Sequence, residues 1–192
     1  MKNTAKILRF LLRNAEGYNI NQVAKSLNIS AGSAFKILKE MEKNNIVSAK
    51  PMGNAIFYTL NLDNPEAAKM CELLLLEEKR NLAGYPKIYA EALETFERAE
   101  LIVLFGSVLT KKQFNDIDVL FVTGKVKEVS QFCLQISKIR AKPVVPLILK
   151  KEDLIRELKE GKEAIISIIR EGIVLKGESV FVAVIKKCKG RN

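Results

Sequence analysis

Residues 20–47 read INQVAKSLNISAGSAFKILKEMEKNNIV, and the spacing of their apolar side chains decides how the chain begins to fold. Ile20, Val23, Ala24 and Leu27 share one face of a 3.6-residue period, which predicts a helix. Asn28-Ile29-Ser30 makes a short break, after which Ala34, Ile37, Leu38 and Met41 resume helical spacing over about Ser30 to Asn44. Two helices joined by so short a turn cross at a steep angle, and the small side chain of Ala24 permits their close approach. This is the grammar of a helix-turn-helix.

Upstream, Thr4 is placed to cap a helix whose apolar face is Ile7, Leu8, Leu11 and Leu12, ending near Asn14 to Gly17. Downstream, the β-prone runs Ile46 to Lys50 and Ala55 to Leu60 flank Pro51-Met52-Gly53-Asn54, a good hairpin tip. With these elements, residues 4–61 resemble the winged helix-turn-helix family of DNA-binding transcription regulators. The resemblance implies that the second helix of the pair enters the major groove of double-stranded DNA while the hairpin touches backbone or minor groove. Ser30, Ser33, Phe35, Lys36 and Lys39 are then expected on the groove-facing side, with Lys43 and Lys50 near phosphates. Lysine–phosphate contacts give salt-sensitive affinity, and the hydroxyls or Phe35 add sequence preference. No arginine lies on that helix, so the bidentate guanine contact is absent and specificity is expected to be modest or shape-based. The alternative is that the lysines form a merely solvated face and that the domain serves dimerisation or protein contacts.

Composition agrees with a polyanionic partner. The 192 residues carry 32 Lys+Arg against 22 Asp+Glu, a formal net charge of +10, and 48% are hydrophobic, ample for packed cores. The absence of histidine removes Ser-His-Asp triads and His-containing zinc sites. Cys71, Cys133 and Cys188 are odd in number and form no Cys-x-x-Cys pair, as in a reduced, intracellular protein. The apolar runs are far shorter than the roughly 18–20 residues that span a bilayer. Arg9 and Arg13 interrupt the first apolar stretch and no small-residue cleavage site follows. The expectation is a cytoplasmic protein without a membrane partner.

Charge also marks out the organisation. Residues 1–62 hold 9 basic and 3 acidic side chains, residues 63–100 hold 5 and 9, and residues 101–192 hold 18 and 10. Two basic zones flank an acidic one, which predicts a winged-helix domain over 1–62, a helical connector over 63–98 and a second domain over 99–192. The connector reads as helices from Pro65 to Arg80 and from Pro86 to Arg98, broken at Gly84-Tyr85-Pro86. Leu73 to Leu76 cover more than one helical face, so they are read either as a homodimer interface or as a surface docked on the second domain.

In the second basic zone, Leu101 to Phe105 is an all-apolar run typical of a buried strand and ends in Gly106-Ser107. Asp116-Ile117-Asp118 then leads into a second buried strand, Val119 to Val122. Glycine at a strand end lets backbone approach a phosphate, and the amides that follow, with the Ser107 hydroxyl, are hydrogen-bond donors. Alternation along a strand projects Asp116 and Asp118 from one face, where two carboxylates hold Mg²⁺ against a triphosphate. This ordered set over residues 99–178, closing in IIREGIVLKG, resembles the DNA polymerase β-type nucleotidyltransferase superfamily, its minimal branch in particular. The overall expectation is α+β: a winged helix-turn-helix followed by a nucleotidyltransferase-like α/β domain with a mixed sheet.

The resemblance implies Asp116 and Asp118 as metal ligands and catalytic acids. It also implies an NTP held at Gly106 and Ser107, with Lys111 and Lys112 standing near the phosphates. The family's third carboxylate belongs on a later strand; here that strand, Lys142 to Leu149, contains no acid and Val145 or Pro146 occupies the position. Members also place arginine after Gly-Ser and serine before the first Asp, where this chain has Val108 and Asn115. Further helices are read over Val126 to Arg140, Glu152 to Glu160 and Glu163 to Glu171, strands over Gly172 to Lys176 and Val180 to Ile185, and a flexible basic tail over Lys186 to Arg191. Three functions follow: a DNA-binding regulator with a degenerate nucleotide-binding domain, an active Mg²⁺-dependent transferase moving NMP from an NTP to a protein, RNA or small molecule, and a structural dimeric adaptor.

Overall fold

The computed structural model describes residues 3–14 and 16–189, which divide into two compact units. Unit 1 joins residues 1–74 to 185–192, and unit 2 holds 75–184. The divide falls inside two helices rather than in a loop.

Unit 1 opens with α1 (Asn3–Arg13), whose Ile7, Leu8, Leu11 and Leu12 are buried. Thr4 lies within its first turn, since the helix already includes Asn3. After β1 (Tyr18–Asn19), α2 (Ile20–Leu27) is closed at its start by a reciprocal box: the Asn19 side chain accepts from the Gln22 amide at 3.0 Å, and the Gln22 side chain accepts from the Asn19 amide at 2.9 Å. Asn28 then adopts φ 50°, the left-handed cap that a short polar side chain tolerates. Two residues on, Ser30 caps α3 (Ala31–Lys43) by accepting from the Ser33 amide at 3.2 Å. These caps make the turn between the two helices as short as the sequence pattern requires. A hairpin follows, β2 (Val47–Met52) and β3 (Ala55–Leu60), with Lys50 opposite Phe57 and the sheet ordered β1-β3-β2. Its two-residue tip holds Gly53 at φ 57°.

The helix α4 (Pro65–Arg80) carries the leucine run. Leu74 and Leu75 are 4% and 0% exposed, Leu76 is half-buried and Leu73 is 64% exposed, so the run is buried within the chain in part. The following helix, α5 (Gly84–Leu93), starts at the Gly-Tyr-Pro expected to separate it from α4 and stops short of Arg98. Proline in a first turn forfeits no intrahelical hydrogen bond, so these residues open the second helix and the break between the two falls at residues 81–83.

Unit 2 is built on β4 (Leu101–Phe105), the single-turn α6 (Ser107–Thr110), β5 (Ile117–Val122), α7 (Val126–Ile139), β6 (Val144–Leu149), α8 (Lys151–Lys159), α9 (Glu163–Glu171) and β7 (Ile173–Lys176). The sheet is mixed and ordered β6-β5-β4-β7, with β5 and β6 parallel and the other pairs antiparallel. Pro146 is tolerated because β6 is an edge strand. Ile102, Leu104, Ile117, Val119 and Phe121 turn one face into a core with Tyr89 and Leu93 of α5 and Val129, Cys133 and Ile136 of α7. The Tyr89 hydroxyl donates to the Lys142 carbonyl and accepts from the Lys142 amide, both at 2.8 Å, which fixes the entry to β6. The alternating residues Leu101, Val103, Leu120 and Val122 are buried on the other face.

The expected strand over Val180 to Ile185 is instead part of α10 (Glu178–Lys189). Its β-branched composition favours a strand, but Phe181, Val182, Val184 and Ile185 recur at helical spacing and all are buried. Lys186 to Lys189 of the expected flexible tail continue this helix, while Gly190 and Arg191 lie outside the described residues.

Candidate nucleic-acid interface and acidic site

On α3, Ala34, Leu38 and Met41 are buried and the opposite face is left outward. Phe35, Lys36, Lys39 and Lys43 are exposed there, Phe35 to 51%. Such an exposed ring at helical spacing from lysines has no core role to explain it. Lys39 Nζ lies 2.8 Å from Glu42 Oε2, and that hydrogen bond, ahead of the other influences, holds its ammonium pKa above the ordinary value. Glu40 is also exposed on the helix, so the face is basic but not uniformly so. Ser30 is exposed but committed as the cap, and Ser33 is half-buried and accepts from Asn3 Nδ2 at 3.3 Å. Ser30 thus serves the start of α3 and Ser33 ties it to α1, each as an acceptor, and both keep their hydroxyl hydrogens and one lone pair for a ligand. Lys50 is exposed on β2.

In unit 2, Gly106 joins β4 to α6 at φ 81°, a conformation that L side chains rarely adopt. A Cβ there would stand 2.2 Å from Asp118 Oδ2, so the carboxylate packs directly over the glycine. Register explains the meeting: Phe105 pairs with Asp118 across β4 and β5. Asp116 immediately precedes β5 and Asp118 is its second residue, and both are half-buried. Burial, and secondly the charge of Asp116, push the Asp118 carboxyl above its ordinary pKa. Two carboxylates that repel each other in partial burial favour a cation between them.

Across the next pairing, Asp118 stands opposite Val145 of β6. Directly paired residues share a face, so Val145, 45% exposed, occupies the row beside Asp118 with an apolar surface. Among the described residues no group of three Asp, Glu, Cys or His side chains stands where it could hold a metal ion. Ser107 begins α6, Lys111 is its C-terminal cap and Lys112 lies beyond it, both lysines exposed. The lysines are thus carried by the loop leading to Asp116 and not by a helix face. Cys133 is buried in the core with its thiol pushed up to about 11 by burial, which leaves it inert.

Sequence reasoning did not find a groove of about 650 Å³ in unit 1, on the outer face of the hairpin. Its walls combine Gln22, Ser48, Lys50 and Phe57 with Lys186 and Lys189, residues far apart in the chain. No local motif announces such a site.

Residues 2–48 match the family model of winged helix-turn-helix DNA-binding domains. The helix-turn-helix read from residues 20–47 is therefore a DNA-binding module. No curated protein and no solved structure matches the chain. Among the described residues no helix is long and apolar enough to cross a membrane.

Proposed function

We propose that the chain is a transcriptional regulator that binds duplex DNA through α3 and the hairpin, and that unit 2 is a nucleotidyltransferase-like domain that binds a nucleotide without transferring it. The observation that carries the first part is the outward face of α3, where Phe35, Lys36, Lys39 and Lys43 stand exposed above a buried stripe. Helix insertion brings such side chains to base edges and phosphates. Duplex affinity measured over a salt series tests it: the logarithm of the binding constant falls steeply and linearly with the logarithm of salt concentration. A flat response refutes it.

The second part is supported by Gly106 beneath Asp118, by the adjacent Asp116 and by the mixed order of the sheet. Mg²⁺ is commonly held by one or two carboxylates together with substrate phosphates, so Asp116 and Asp118 fit an ion that arrives with a nucleotide. Such an ion would neutralise phosphate oxygens, with Lys111 and Lys112 as additional cations. Val145 opposite Asp118 argues for binding without turnover, because an apolar side chain there neither completes a metal site nor takes a proton from an acceptor hydroxyl. Mg²⁺ with each labelled NTP is expected to stabilise the protein thermally but to label no acceptor, and Asp116→Asn/Asp118→Asn is expected to lose the stabilisation. Label transferred by the wild type alone would establish the active-transferase reading instead.

A further inference from the structure

The groove on the outer face of the hairpin contains a cation that has no counterion among the described residues. Lys189 is half-buried in the last turn of α10, and its Nζ donates to the Leu11 carbonyl at 2.7 Å. That bond serves the last turn of α1, where carbonyls lack intrahelical donors. An ammonium has three hydrogens, and this is the one hydrogen bond it makes among the described residues. No carboxylate among them lies within ion-pair distance; Asp63, at the same groove, is 2.7 Å from Lys186 Nζ instead. Burying a charge without a counterion is costly, so a half-buried lysine beside open volume calls for an anion.

The other walls narrow the class of anion. Lys50 stands on the sheet side and adds a second cation, while Gln22 and Ser48 supply neutral donors. Phe57 and Gly17 both line the groove, and Phe57 gives it an aromatic surface. A volume of about 650 Å³ is the size of a small-molecule cleft, within the usual range of about 300–1,000 Å³. We propose that this groove binds a small organic anion, its carboxylate or phosphate paired with Lys189 and Lys50 and its apolar body laid on Phe57. Burial draws the Lys189 pKa down to about 8, so the ammonium is still charged at neutral pH and gains from a counterion.

Ligand-observed NMR on the full chain, with benzoate, phenyl phosphate and uncharged benzamide as probes, tests the site. The wild type binds benzoate, phenyl phosphate or both, and benzamide at least tenfold more weakly. Lys189→Met weakens the anion at least tenfold. Ser48→Phe, which fills the groove from the sheet side and leaves Lys189 in place, does the same. Lys187→Gln, an exposed neighbour outside the groove, leaves binding unchanged. Absence of binding by the wild type to both anions overturns the proposal, as does benzamide binding equally well or Lys189→Met retaining wild-type affinity. Preference between the two anions assigns the headgroup.

Discussion

Replacing Lys189 with methionine keeps an unbranched side chain one atom shorter and removes its charge, and the pH dependence of stability then reports what that charge costs. Burial pulls the ammonium from its ordinary 10.5 down to about 8, with Cys71 second and acting in the opposite direction. In the unfolded chain the group returns to its ordinary value. Between these two values the unfolded state binds more protons than the folded one, so stability rises with pH; below the folded value both states are charged and the gain is absent. The full displacement is worth about 3 kcal/mol, of which about 1.3 kcal/mol accumulates between pH 7 and pH 9. Two thiols oppose it. Burial pushes Cys71 up to about 12 and Cys133 up to about 11 from an ordinary 9.0, so each subtracts stability as pH rises through 9 and above. Urea unfolding of wild type and Lys189→Met at pH 7, 8 and 9 separates the contributions: Lys189 lowers Cys71 in the folded state, but up to pH 9 each thiol's contribution is set by its ordinary value in the unfolded chain, which both proteins share. Wild type should gain about 1.3 kcal/mol on the variant over that interval. Parallel profiles would refute the placement of the ammonium in a charge-hostile environment.

Gly106→Ala forces a Cβ to within 2.2 Å of Asp118 Oδ2 at φ 81°, and should destabilise unit 2 by about 1–3 kcal/mol in thermal unfolding while abolishing nucleotide-dependent stabilisation. Lys36→Gln and Lys43→Gln should each reduce the slope of log affinity against log salt by about 1 and weaken different duplex sequences alike, whereas Phe35→Ala should alter sequence preference at an unchanged slope. Val145→Asp places a carboxylate in the row beside Asp118, and should tighten Mg²⁺-nucleotide binding as measured by calorimetry. Tyr89→Phe removes both hydrogen bonds to Lys142 and should cost about 1–3 kcal/mol, leaving the DNA-binding module unaffected in duplex titrations.

The helix-turn-helix was legible in residues 20–47 because every level there agrees. Apolar spacing, the Asn19–Gln22 box, left-handed Asn28 and the Ser30 cap all specify the same two helices. Where composition and period disagreed, reading failed. Val180 to Ile185 look like a strand by β-branching but fold as a helix, since burial rewards the spacing of Phe181, Val184 and their neighbours. The acidic pair was visible as Asp-x-Asp after Gly-Ser, yet its partner on β6 was narrowed only to Val145 or Pro146. Which of them faces Asp118 depends on strand register, and that is set by tertiary packing of both sheet faces. The Lys189 groove had no local signal at all, because Gln22, Lys50 and Lys189 meet only after the chain has traversed unit 2.

That traverse links the stability of the two units through the covalent chain itself. Residues 185–189 complete unit 1, Lys189 at the end of α1 and Lys186 at Asp63, but they are separated from residue 74 by the whole of unit 2. If residues 75–184 were unstructured, seating this segment would mean closing a loop of about 110 residues, an entropic cost of about 4 kcal/mol. A folded unit 2 fixes that span in advance and removes most of the cost. Anything that stabilises unit 2 therefore lowers the entropic cost of seating residues 185–189 against Leu11 and Asp63.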